Sequence, residues 1–142
     1  VRLSRRYRFS ASHRLHARQL SAEANAELYG KCNYPYGHGH NYAVEITVRG
    51  PVQPETGVVA NVQALDALVK RHVLDAYEHR NLNTLPEFSG TVPTSENLGL
   101  EIQRRLASSW HEAFPEGKPA LDRVCVEETE RNRFEIGLTE KD

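Results

Sequence analysis

Five side chains able to bind a metal ion or carry a proton fall within the first forty residues: His13, His16, Cys32, His38 and His40. They stand out because the chain has seven histidines and only two cysteines. His38-Gly39-His40 leads straight into a run of alternating apolar and polar residues. Residues two apart on a strand project to the same side, so both imidazoles can converge on one ion, and Gly39 leaves room for close approach. That is half of a zinc site. A catalytic zinc takes three protein ligands and keeps one position for water or substrate, so a third histidine is wanted; His13 is the natural candidate and His16 the reserve. His-x-His also occurs as plain loop decoration, and the triplet by itself leaves metal binding open.

Cys32 sits in Gly30-Lys31-Cys32-Asn33-Tyr34-Pro35-Tyr36-Gly37-His38, whose glycine, proline and asparagine mark an irregular loop. A thiol there belongs at a surface or cleft. It can close a metal site as a fourth ligand, or act as nucleophile or base beside an open one, and a nearby zinc or protonated histidine would lower its pKa. Cys125 alternates with Val124 and Val126 and reads as structural filler; both cysteines are expected to be free thiols. His79 follows Glu78 where a helical pattern runs out. A histidine there is a favourable end charge or, beside its carboxylate neighbour, a proton carrier near neutral pH. Glu128 shares the strand parity of Val124 and Val126, where an apolar residue is the default. An inward carboxylate needs a cationic or multi-donor partner, in the fold or in a ligand.

These groups need elements to place them. Residues 1–10 alternate, with Val1, Leu3, Tyr7 and Phe9 on one parity, and form a half-buried strand that delivers His13 just past its end. Residues 41–49 put Tyr42, Val44, Ile46 and Val48 on one face, and Gly50-Pro51 ends that strand. Helical spacing runs from Asn61, as N-cap, to about Glu78. It resumes after Thr94, a second N-cap, with Glu96 in the first turn and Leu98, Ile102, Leu106, Trp110 and Phe114 stepping to Pro115. Strands return over 121–129 and 132–138. The order predicts an α+β fold, a four-stranded antiparallel sheet with two helices on one face. Its open edges and bare second face predict assembly with further copies. A cupin metal motif also begins His-x-His with a later Glu, but Glu45 has the opposite parity, and two long helices stand where a cupin needs strands.

The 142 residues, 39% hydrophobic and 26% charged, suit a single domain over 1–142. Eighteen basic side chains against 19 acidic ones give a formal net charge of -1, which excludes basic-tail and histone-like classes and any field that draws nucleic acid or an anionic membrane. No apolar run approaches the roughly 20 residues of a membrane helix, and Val1-Arg2-Leu3-Ser4-Arg5-Arg6 lacks the apolar core of a signal peptide. A soluble, cytoplasmic protein is expected.

Five blocks together carry a family resemblance. They are Phe9-Ser10-Ala11-Ser12-His13-Arg14-Leu15; Leu28-Tyr29-Gly30-Lys31-Cys32-Asn33 through Gly37-His38-Gly39-His40-Asn41-Tyr42; Glu78-His79-Arg80-Asn81-Leu82; Pro93-Thr94-Ser95-Glu96-Asn97-Leu98; and Val126-Glu127-Glu128-Thr129. In this order they resemble the 6-pyruvoyl-tetrahydropterin synthase family. The spacing from Cys32 to His38 is similar to that of the pyruvoyl-forming branch; the related 6-carboxy-tetrahydropterin synthase of the queuosine pathway typically has a shorter gap.

The resemblance implies the tunnelling fold (T-fold), in which three subunits close a barrel and two trimers stack into a homo-hexamer with active sites at subunit interfaces. It implies a carbon-oxygen lyase acting on phosphates, in tetrahydrobiopterin biosynthesis, that converts 7,8-dihydroneopterin triphosphate to 6-pyruvoyl-tetrahydropterin with loss of triphosphate. On this resemblance His13, His38 and His40 hold Zn2+, Cys32 removes a proton from a side-chain carbon, and His79, beside Glu78, relays protons. Glu128 grips the guanidine-like edge of the pterin, which a carboxylate matches bidentately. Thr94, Ser95 and Glu96 line the pterin pocket. The family usually has Asp where this chain has Glu78, one methylene longer, which alters the hydrogen-bond geometry and can retune or reduce activity. Arg14, Lys31 and Arg80 are candidates for the triphosphate, and His16, His72 and His111 fall to ordinary roles. Two alternatives stand beside this reading: the carboxy-forming enzyme, and a non-catalytic pterin-binding zinc protein.

Overall fold

In β1 (Arg2–His13) and β2 (His38–Arg49) the chain forms a long antiparallel ladder, with Phe9 opposite Tyr42, Ala11 opposite His40 and His13 opposite His38. The structure, a computed structural model, describes residues 1–137. Both strands run further than alternation predicts: β1 continues through Ser12 and His13, and β2 begins at His38. Pairing satisfies backbone groups there that a loop would leave to water. All three histidines therefore stand on the ladder itself, at one end.

β2 also pairs with β4 (Ala120–Glu127), and β4 with β5 (Arg133–Gly137), both antiparallel. The four predicted strands are present, with residue 138 of the last one outside the described residues. The sheet nevertheless has five strands, in the order β3-β1-β2-β4-β5, because β3 (Arg80–Asn81) adds on parallel to Ala11 and Ser12 of β1. A two-residue strand carries no alternation to read, and it covers part of an edge that would otherwise be open.

The excursion between β1 and β2 holds an unpredicted helix, α1 (Ala22–Tyr29), capped by the Ser21 side chain. Its one buried residue is Asn25, whose amide bonds to the backbone of Ala17, Leu20 and Ser21. A helix held by polar bonds has no apolar stripe for periodicity to find. Asn61 caps α2 (Val62–Val69) as expected, accepting from Ala64 N at 3.1 Å, and the helix continues through a π-helical turn, Lys70–Leu74, into α3 (Asp75–Tyr77). Thr94 caps α4 (Ser95–Ala113) in the predicted way, its hydroxyl 3.1 Å from Asn97 N.

Tyr42, Val44, Ile46 and Val48 are fully buried in one core cluster with Leu65, Val69 and Val73 and with Leu98, Ile102 and Leu106 of α4. Gly99 lets α4 descend onto the sheet: a Cβ there would meet Ile136 Cγ1 at 3.1 Å and Val126 Cγ2 at 3.4 Å. The opposite sheet face is laced by charge, through Arg6–Glu127 at 2.6 Å, Arg133–Glu127 at 2.8 Å and Arg133–Glu45 at 3.3 Å. Cys125 is buried on that face and, like Cys32, is a free thiol. No helix among the described residues is long and apolar enough to cross a membrane.

Candidate active site

At the end of the β1–β2 ladder, His13, His38 and His40 converge with Cys32, which comes from a short helical turn after α1. One donor atom from each of the four lies within 4.8 Å of every other. His13 is 1% exposed, and its Nδ1 lies 2.9 Å from the Pro93 carbonyl and 3.2 Å from the Tyr42 hydroxyl. A carbonyl only accepts, so Nδ1 carries the hydrogen and Nε2 keeps a free lone pair, the tautomer a metal ligand needs. His38 Nε2 faces His40 Nε2 at 2.6 Å and Cys32 Sγ at 3.4 Å. His16, the reserve ligand, lies outside the group, its Nδ1 accepting from the Asn33 amide at 3.2 Å.

Burial draws His13 down to about 4, against the pull of the Pro93 carbonyl, and burial lowers His38 and His40 as well. The imidazoles are therefore neutral near pH 7. Burial also pushes the Cys32 thiol and the Glu128 carboxyl up. Glu128, one residue past β4, turns its Oε1 to within 3.4 Å of His13 Nε2 and 3.2 Å of His40 Nε2. With neutral rings these approaches are not ion pairs. His13 Nε2 and Glu128 Oε1 are both buried without a hydrogen-bond partner, lone pair toward lone pair. A cation between them relieves that cost. The donor set fits a divalent metal: imidazole and thiol suit zinc, and three imidazoles alone suit several others.

The low His13 value has a consequence for the metal-free chain. As pH falls, the unfolded chain, at an ordinary 6.5, takes up the proton before the folded one, at about 4. Stability is thus kept above about 6.5 and declines as pH falls through that window. Thermal melts of metal-stripped protein are expected to show a lower midpoint at about pH 5 than at about pH 7, with His13→Gln flattening the difference.

A family model described as 6-pyruvoyl tetrahydropterin synthase matches residues 2–138. The chain belongs to the 6-pyruvoyl tetrahydropterin synthase family. It is 44% identical over 125 residues to the 6-pyruvoyl tetrahydrobiopterin synthase of Poecilia reticulata, covering 87% of this chain and 81% of that one. To the Homo sapiens protein of that name it is 42% identical over 133 residues, 93% of this chain and 88% of the other. The solved 6-pyruvoyl tetrahydropterin synthase of Caenorhabditis elegans matches with a TM-score of 0.86 at 38% identity, covering 96% of this chain and 94% of that one. The α+β architecture fits the T-fold of these synthases.

In this member of the synthase family His79 stands outside the group formed by His13, Cys32, His38 and His40. His79 has a left-handed backbone, φ 58°, and its N–H donates to the Ser10 carbonyl at 2.6 Å. Its side chain is 81% exposed, with Nε2 2.9 Å from Glu78 Oε1, so the longer carboxylate still reaches the ring. His79 borders a hollow of about 290 Å³ at the sheet edge together with Ser10, Gly39, His40, Asn41 and Arg80. Ser10 pairs with Asn41 and Ser12 with Gly39, positions of the strand parity opposite to that of His13 and His40. His79 is not among the groups that converge with Cys32. In the Thr94-Ser95-Glu96 segment, Thr94 spends its hydroxyl on the cap, Ser95 is buried beside Glu128, and Glu96 is exposed.

Three contributors to the site lie outside the sequence reading. Tyr42 reads as core, the Pro93 carbonyl is a backbone atom, and Gly37 is a turn residue; no side-chain pattern marks any of them as a support for His13. Gly37 has φ +73°, and a Cβ on it would lie 2.8 Å from the His13 carbonyl oxygen. Gly37→Ala is expected to displace His13 or His38 and weaken metal binding by about tenfold or more, in line with the cost of forcing an alanine into that conformation. Competition against a chromogenic chelator measures it; an unchanged affinity would show that the loop absorbs the extra methyl.

Proposed function

We propose that this chain is a zinc-dependent lyase that converts 7,8-dihydroneopterin triphosphate to 6-pyruvoyl-tetrahydropterin with elimination of triphosphate. The observation that supports this most is the convergence of three imidazoles and one thiol beside Glu128 Oε1, a buried carboxylate oxygen without a hydrogen-bond partner. Zinc, held by His13, His38 and His40, would supply Lewis acidity that lowers the pKa of the substrate's side-chain hydroxyls. Cys32, as thiolate, takes the proton from the adjacent carbon. Glu128 accepts two hydrogen bonds from the guanidine-like edge of the pterin, which supplies the partner its oxygen lacks.

His79, oriented by Glu78, passes protons in the site of a neighbouring subunit. Its exposure at the sheet edge supports that arrangement, as does the β5 edge, which pairs with no strand among the described residues. The assembly is read as a homo-hexamer of two stacked trimers, with Thr94, Ser95 and Glu96 lining the pterin pocket at the interface, working in the cytoplasm on a small molecule rather than on nucleic acid or a membrane. Incubation with 7,8-dihydroneopterin triphosphate and mass analysis of the pterin tests this. A 6-pyruvoyl product with free triphosphate is expected. A 6-carboxy product with acetaldehyde would overturn it in favour of the carboxy-forming enzyme, and retained pterin binding without turnover would leave a non-catalytic zinc protein.

A further inference from the structure

Tyr77 ends α3 and immediately precedes Glu78 and His79; it is fully buried, whereas the His79 side chain is 81% exposed. We propose that Tyr77 is a positioning residue for His79, its buried ring anchoring the chain from which the exposed imidazole projects. The assignment rests on the proton-carrying role given to His79 above.

The backbone of His79 is held on both sides. Before it, the Glu78 N–H donates to the Leu74 carbonyl at 2.9 Å, and the Tyr77 ring lies 5.9 Å from that of Phe9, centroid to centroid. After it, Arg80 and Asn81 pair with Ala11 and Ser12 as β3. His79 itself donates its N–H to the Ser10 carbonyl at 2.6 Å. Consecutive residues of β1, Phe9 and Ser10, thus receive the Tyr77 ring and the His79 N–H. Between these attachments His79 takes φ 58°, and among the described residues no other non-glycine residue has a positive φ. A left-handed backbone at such a residue persists only where its surroundings over-determine it. An exposed imidazole that served solubility alone would need no such hold.

The ring of Tyr77, rather than its hydroxyl, is the anchor. The hydroxyl is buried without a hydrogen-bond partner, so it adds a desolvation cost and no bond. The ring gains aromatic contact with Phe9 and a cation–π contact with Arg105, whose guanidinium carbon sits over it, 5.5 Å from the ring centre. Arg105 is itself fixed, one Nη donating to Glu87 Oε2 at 2.8 Å. Phe9 in turn stacks on Tyr42 at 5.2 Å, and the Tyr42 hydroxyl lies 3.2 Å from His13 Nδ1. One aromatic column therefore ties the segment that carries His79 to the strands that carry the metal site.

Amide hydrogen exchange and mixed assemblies test this. In Tyr77→Leu the His79 N–H is expected to exchange roughly tenfold faster or more, as a local opening requires, while Tyr77→Phe, which keeps the ring, stays within about twofold of wild type. The second comparison uses a refolded mixture of Cys32→Ala chains and His79→Ala chains. Tyr77→Leu on the chain that supplies His79 is expected to lower the recovered turnover by roughly 10²-fold, the scale of a misplaced catalytic group. On the chain that lacks His79 it is expected to leave recovery within about twofold, with zinc content equal in both mixtures. Equal losses on either chain would show a general packing role and overturn the proposal, as would His79 exchange at the wild-type rate in Tyr77→Leu. Should Tyr77→Leu fail to fold, Arg105→Lys keeps the charge beside Glu87 without the planar group over the ring, and the same two comparisons decide at smaller amplitude. A mixture that recovers nothing even with Tyr77 intact would remove the interfacial reading alone, and the exchange rates would then decide for or against the anchor.

Discussion

Cys32→Ala is expected to lower turnover by roughly 10²- to 10⁴-fold, the range for loss of a positioned general base, while the protein keeps its metal. The expectation follows from the division of labour in the site. Three imidazoles complete a catalytic ligand set without the thiol, and Cys32 Sγ stands 3.4 Å from His38 Nε2, close enough to serve a substrate carbon seated at the same centre. The side chain is only half-buried, so its truncation disturbs little packing. Zinc content by atomic absorption and pterin affinity by fluorescence are the controls that give the result its meaning. Metal lost together with the thiol would make Cys32 a fourth ligand in a closed, structural site and would remove the proposed base.

The second large effect is a recovery. Chains carrying Cys32→Ala and chains carrying His79→Ala are each expected to be inactive, and a refolded mixture of the two is expected to regain activity. The reason is geometric: Cys32 groups with His13, His38 and His40, while His79 stands at the sheet edge just before β3, outside that group and 81% exposed. If the catalytic set spans two subunits, a mixed assembly contains some interfaces with an intact Cys32 from one chain and an intact His79 from its neighbour. Size-exclusion chromatography must show that the mixture has assembled. An assembled mixture with no activity would place both residues in the site of one chain and refute the interfacial arrangement.

Much of the fold is legible from local pattern. The apolar alternation of Tyr42, Val44, Ile46 and Val48 requires one buried face, and those residues are fully buried. Asn61 and Thr94 cap helices because their side chains satisfy backbone N–H groups that the helix cannot. Where pattern carries no information, the reading falls short. Helix α1 is fastened by Asn25 amide bonds rather than an apolar stripe, and β3 is two residues long. The predicted count of four strands becomes five for that reason.

The candidate site divides along the same line. Residue type and a spacing of two determined that His38 and His40 share a side, because strand geometry is local and has a fixed period. The family blocks determined which chemistry to look for. The sequence already favoured His13 over His16 as the third member; the tertiary structure supplies what brings it to the other two, the register of β1 against β2, which packing of the whole ladder sets. It likewise decided that Glu128, from the end of β4, meets those rings with an unpartnered oxygen. That His79 stands outside this group was beyond any periodicity, because one left-handed residue, pinned by the Ser10 carbonyl, turns the chain there.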